Sequence, residues 1–137
     1  MSETLASLEK KREQLYKQLQ ESGDFRRGTI SVVYRKCGKK NCACAKEGHP
    51  GHGPRYLWNA TIGGKSYAKH LNIGPEMAKY QDETSAYKKF SMLCEQIITI
   101  NEQICAIRPM QIIEDEDDLA ALKKKLQQMF MAKLKEK

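Results

Sequence analysis

Between residues 37 and 54 the chain reads Cys37-Gly-Lys-Lys-Asn-Cys42-Ala-Cys44-Ala-Lys-Glu-Gly-His49-Pro-Gly-His52-Gly-Pro. Three thiols and two imidazoles in one short stretch form a ligand inventory. A core needs no such set in a segment so rich in Gly, Lys and Pro. Three thiolates and one neutral imidazole complete a closed, tetrahedral structural zinc site. The spacing is Cys-x4-Cys-x-Cys-x7-His, with Cys37, Cys42, Cys44 and His52 as ligands and Zn2+ as the expected ion. His52 directly precedes Gly53-Pro54 and the next strand, where a ligand anchors the end of the loop; His49 is the alternative. Cys42 and Cys44 can point to one centre only if the chain bends sharply between them.

The same residues argue against catalysis. Four protein ligands leave no open coordination position, and Glu47 is the loop's one carboxylate, so no enzyme is expected. Cys42 and Cys44 crowd each other too closely for a nucleophile with its own histidine partner. A redox sensor is the remaining chemical rival, and it requires a thiol of depressed pKa. Five cysteines, three of them in the loop, point to a reducing cytoplasm rather than a disulfide framework. Cys94 and Cys105 lie three helical turns apart on one face and are read as core.

Charge singles out the same region. The net charge of +7 is carried by residues 26–73, which hold ten basic side chains against Glu47 alone. These are Arg26, Arg27, Arg35, Lys36, Lys39, Lys40, Lys46, Arg55, Lys65 and Lys69, and they are the candidate nucleic-acid contacts. The flanking segments each carry net −1. A focused cationic patch favours a polyanion, because binding phosphates releases their condensed counterions. DNA, or RNA, is the expected partner. The N-terminus shows neither a basic nor an apolar signal region, and no apolar run approaches the ~18 residues of a membrane span.

The surrounding elements must position this loop. Leu5, Leu8, Leu15 and Leu19 fall at helical spacing over residues 3–21, with Arg12 in the seam and Gly23 as a stop signal. Residues 28–36 are β-branched and extended, and residues 55–62 and 65–73 form two further strands around a Gly63-Gly64 turn. Pairing Ile62 with Lys65 sets Tyr56 opposite Leu71, Trp58 opposite Lys69 and Ala60 opposite Tyr67. That face is expected to pack on a helix, with Lys69 over Trp58. The alternative is a binding surface on which Tyr56, Trp58 and Tyr67 stack on bases while Lys65 and Lys69 track phosphates. Pro75 opens a long helix reaching residue 107. Phe90, Leu93, Ile97, Ile100, Ile104 and Ile107 make one stripe on it, and Met77, Tyr80, Tyr87, Cys94, Ile98 and Cys105 a second. Two stripes call for two partners, one being the N-terminal helix and the other a second protomer. A last helix over 116–135 carries Leu119, Leu122, Leu126 and Met129, with acids at its start and lysines towards its end.

The organisation is therefore an N-terminal helix (1–25), a zinc-loop sheet module (26–74), a packing and dimerisation helix (75–108), and an acidic linker with a C-terminal helix (109–137). The fold class is α+β: a small three-stranded antiparallel sheet with a zinc-knuckle-like loop, flanked by long helices of coiled-coil type.

The run from Arg27-Gly-Thr-Ile through Tyr34, Cys37-Gly-Lys, Asn41-Cys-Ala-Cys44, His52-Gly-Pro, Tyr56-Leu and Gly63-Gly-Lys resembles a family of small, uncharacterised prokaryotic proteins. Their shared pattern is R-G-S-I, Y-x-x-C-G-K-x-N-C-x-C, H-G-P-Y and a G-G-K hairpin before a long helix. The likeness spans residues 26–107, and Arg55 departs from it where the family has an aromatic residue. It implies a metal-binding sheet-plus-helix module with Cys37, Cys42, Cys44 and His52 as ligands, and no assigned activity. The expected function is a dimeric, zinc-stabilised nucleic-acid-binding protein, an accessory or regulatory DNA-binding factor. The alternative is a protein–protein adaptor with an inert zinc clasp and a protein partner at the acidic run 114–118.

Overall fold

Thr4 starts the first helix, its Oγ1 accepting a hydrogen bond from the Ser7 amide at 3.1 Å. This satisfies one of the amides that a helix start leaves without an internal partner. The computed structural model describes residues 3–135 and comprises two units, divided between Ala106 and Ile107. The first unit contains α1 (Leu5–Gln20), β1 (Thr29–Arg35), β2 (His52–Ile62), β3 (Lys65–Leu71) and all but the last residue of α2 (Pro75–Ile107). The second contains α3 (Glu116–Lys135). The architecture is α+β.

The leucine stripe of α1 meets the first stripe of α2. Leu8, Ile100 and Ile104 are buried together, with Leu5 and Leu15 packed against them. Each such aliphatic side chain contributes roughly 1.5–3 kcal/mol when fully withdrawn from water. Arg12, the one cation in the seam, donates to Asn101 Oδ1 at 2.9 Å, and Asn101 Nδ2 donates to Tyr16 Oη at 3.1 Å. As the chain advances from Leu8 to Arg26, its partners on α2 retreat from Ile104 to Tyr80, so α1 lies antiparallel to α2. Phe25 stacks on Phe90 at 4.5 Å and continues the seam past the end of α1.

Two expectations fail here. Gly23 does not stop α1: Glu21 is the cap, and its amide returns to Lys17 and Leu19 carbonyls. The helix ends in ordinary right-handed geometry, so no residue of positive φ is needed. Cys105 is exposed and Cys94 half-buried: α1 packs on the first stripe of α2, whereas the contacts to the second stripe fall nearer its start, at Tyr80 and Tyr87.

The sheet is antiparallel in the order β1-β2-β3. Its second hairpin has the register expected of a Gly63-Gly64 turn, pairing Ile62 with Lys65, Ala60 with Tyr67, Trp58 with Lys69 and Tyr56 with Leu71. Both turn glycines have positive φ, 59° and 80°, the geometry of the tight hairpin that matches strand twist. The face carrying Trp58 and Leu71 packs on the start of α2, where Trp58 meets Tyr80 edge-on at 5.8 Å and Leu71 is buried. Among the described residues, no helix is long and apolar enough to cross a membrane.

Candidate metal centre

Strand β1 delivers the first ligand. A register shift between Val33 and Arg35 turns the end of the strand, and Cys37 follows two residues later. Lys39 to His49 then fold into nested turns. Cys42 N donates to Lys39 O, Ala45 N to Cys42 O, Lys46 N to Ala43 O and His49 N to Lys46 O. The short 3-10 turn at Ala43–Ala45 supplies the sharp bend that two thiols separated by one residue require. The fourth ligand is on the sheet: β2 begins at His52, opposite Arg35, three residues earlier than the sequence pattern suggested. Gly51 makes that approach feasible. It is buried at φ 109°, and a Cβ there would lie 2.6 Å from the Arg35 carbonyl carbon.

Cys37, Cys42, Cys44 and His52 place their ligand atoms within 4.8 Å of one another. Cys37 Sγ and Cys44 Sγ are 3.5 Å apart, and Cys42 Sγ and His52 Nε2 are 3.1 Å apart. A tetrahedral zinc with bonds of about 2.3 Å to sulfur separates two thiolates by about 3.8 Å, within the range these ligand atoms span, so the cluster fits such an ion with small side-chain shifts. The donor set is soft and holds three anions once deprotonated, which suits zinc and excludes the oxygen-seeking calcium and magnesium. His49 is not part of the cluster. Its Nδ1 accepts the Gly51 amide at 3.0 Å, so it props the turn that carries His52.

The electrostatics of the thiols are unequal. The Lys39 backbone amide, then the His52 and Cys44 side chains, hold the Cys37 thiol down to about 6. Cys44 is buried, and its pKa is raised. The Cys37 amide donating to its sulfur at 3.5 Å works downward, but burial and the neighbouring Cys37 and Cys42 sulfurs outweigh it. The same amide contact would support a metal-bound Cys44 thiolate, as outer-shell donors do.

Arg35, Lys36, Lys39, Lys40 and Lys46 are exposed around the cluster, Arg55 is exposed on β2 opposite Val33, and Arg27 and Lys65 are exposed elsewhere on the module. Arg26 and Lys69 belong to a different arrangement. Arg26 lies 3.9 Å over the Tyr80 ring and 5.6 Å from that of Trp58, and its Nε donates to Glu83 Oε1 at 3.0 Å. Lys69 sits over Tyr80, at 5.3 Å, rather than over Trp58, with Glu76 at 3.9 Å. Both clamp the sheet to α2. Tyr80 and Glu83 are the residues that charge and motif reasoning missed. The signal available was the spacing of Glu76, Tyr80 and Glu83 along one face of α2, opposite a cationic strand.

The family described as "Domain of unknown function (DUF6788)" matches residues 5–77, and the chain belongs to it. The match takes in α1, the candidate metal-ligand cluster and all three strands, and ends in the first turn of α2. It therefore starts earlier, and stops earlier, than the 26–107 span of the motif resemblance. No curated protein and no solved structure compared with the chain matches it.

Proposed function

We propose that this member of the DUF6788 family is a zinc-stabilised nucleic-acid-binding protein, non-catalytic and dimeric through its helices. One observation carries the reading. Four ligand atoms that gather within 4.8 Å pin both ends of a loop whose exposed side chains include Arg35, Lys36, Lys39, Lys40 and Lys46. A polar loop cannot hold such cations together through burial of its own. A bound ion can, since structural zinc supplies on the order of 10 kcal/mol or more of folding free energy in small modules. Lysines and arginines on a fixed loop bind the phosphate backbone, which gives affinity without base preference.

The test is a salt titration of binding to mixed-sequence duplex DNA and to single-stranded RNA. Binding should weaken steeply with salt, and replacing Arg35, Lys39 and Lys40 by Gln should reduce the log–log slope by about 2 to 3. In parallel, elemental analysis should find one zinc per chain, lost in Cys42→Ser. Absence of binding at low salt favours the adaptor reading instead, for which the exposed apolar stripe of α3 is the supporting observation.

A further inference from the structure

The stripe of α3 is exposed along its length, Leu119 and Leu122 at 37%, Leu126 at 40% and Met129 at 46%. An amphipathic helix of 20 residues, about 30 Å long, is marginal in water unless its apolar side is covered. What covers it can be read from the order of its seam positions. Asp115, Leu119, Leu122, Leu126, Met129 and Lys133 are spaced 4-3-4-3-4. That series is the same read backwards.

We propose that α3 pairs antiparallel with α3 of a second copy of this chain. This deepens the dimer of the proposed function by naming its surface and orientation, and it rests on that reading. In an antiparallel coil, seam positions of one kind face those of the other kind. Leu119 then meets the partner's Met129, and Leu122 meets the partner's Leu126. The two-fold axis passes between these layers, and all four apolar layers are filled. At each end Asp115 meets the partner's Lys133, and the run Glu114 to Asp118 lies beside the lysine-bearing end of the other helix. A parallel pair in register would set Asp115 against Asp115 and Lys133 against Lys133 within the seam, where like charges repel most. Antiparallel pairing also opposes the two helix dipoles. Asp115 also caps α3, its Oδ1 accepting the Asp117 and Asp118 amides at 2.8 and 3.2 Å. Lys123 and Lys125 approach their own copies beside the axis. Their long stems let the ammonium groups diverge into water, and salt screens what repulsion is left.

Sedimentation equilibrium of the full chain over a wide concentration range tests this. The native chain should pass from monomer to dimer. Leu122→Glu with Leu126→Glu should remain monomeric, with its fold checked by circular dichroism and its metal content intact. Lys133→Glu, at the end of the seam, should weaken the dimer by several-fold, because it sets a carboxylate against the partner's Asp115. In a parallel pair the same change trades one like-charge layer for another and leaves the constant unchanged, which would overturn the proposed orientation. A double Glu variant that still dimerises moves the interface to another helix, overturning this proposal while leaving the dimer of the proposed function standing. A native chain that is monomeric throughout overturns both, whereas metal and nucleic-acid binding are measured separately and survive either result.

Discussion

Glu83 shows how one carboxylate can decide what two cations do. Lys79 hydrogen-bonds it from one helical turn away, and Arg26 reaches it across from the sheet. First the Lys79 hydrogen bond, then the positive charges of Arg26 and Lys79, hold its carboxyl below the usual range against the opposing effect of burial. A depressed carboxyl contributes stability that is complete above its ordinary pKa and disappears as pH falls through the lowered one. The native chain should therefore melt above Glu83→Gln at neutral pH, and the two melting temperatures should converge below about pH 4. Taking the difference between two chains with the same cysteines removes the acid sensitivity of the metal ligands from the comparison. Curves that stay parallel through that range would contradict the assigned role. Sequence reading listed Arg26 only as a candidate phosphate contact, because an arginine at the edge of a cationic run carries no mark of its partner. Glu83 is 57 residues away, and only the fold brings them together.

At the level of elements, most of the chain was legible. The span of α2, the span of α3 and the register of the Gly63-Gly64 hairpin follow from period, Pro75 and paired glycines, which are local signals. The entry of β2 at His52 was not, because it depends on contact with β1. Gly51 is the element-scale device that allows it. Alanine there should cost more than alanine at Gly48, another glycine of positive φ (85°), which has nothing within 4 Å of where a Cβ would sit. Left-handed strain alone costs about 1–2 kcal/mol for a residue with a Cβ. Gly51→Ala adds a collision with the Arg35 backbone, so it should push β2 away from β1 and carry His52 off the cluster. Melting temperature and zinc affinity together check this. Gly48→Ala should lower the first modestly and spare the second, while Gly51→Ala should lower both.

Across the whole of the first unit, stability is divided between two places. The helical seam centres on Leu8, Ile100 and Ile104, and the sheet is tied to α2 by Trp58, Leu71, Tyr80 and the Arg26 clamp. Between residues 36 and 54 only Cys44 and Gly51 are buried, so the loop has no apolar core of its own. Beyond its turn hydrogen bonds its order rests on the ligand cluster, whereas the seam of α1 and α2 rests on aliphatic burial and the Arg12–Asn101–Tyr16 hydrogen bonds. Metal removal should consequently act unevenly. Trp58, the chain's single tryptophan, reports on the sheet, and the helical band of circular dichroism reports mainly on the helices. Chelation should lower the transition seen by Trp58 fluorescence by more than the one seen by helicity, turning one melting curve into two. If both probes shift together by the same amount, the ion supports the entire unit cooperatively and the two cores are one. If neither shifts, the loop is held by something other than its thiols and imidazole, and the cationic surface of the proposed function has lost its scaffold.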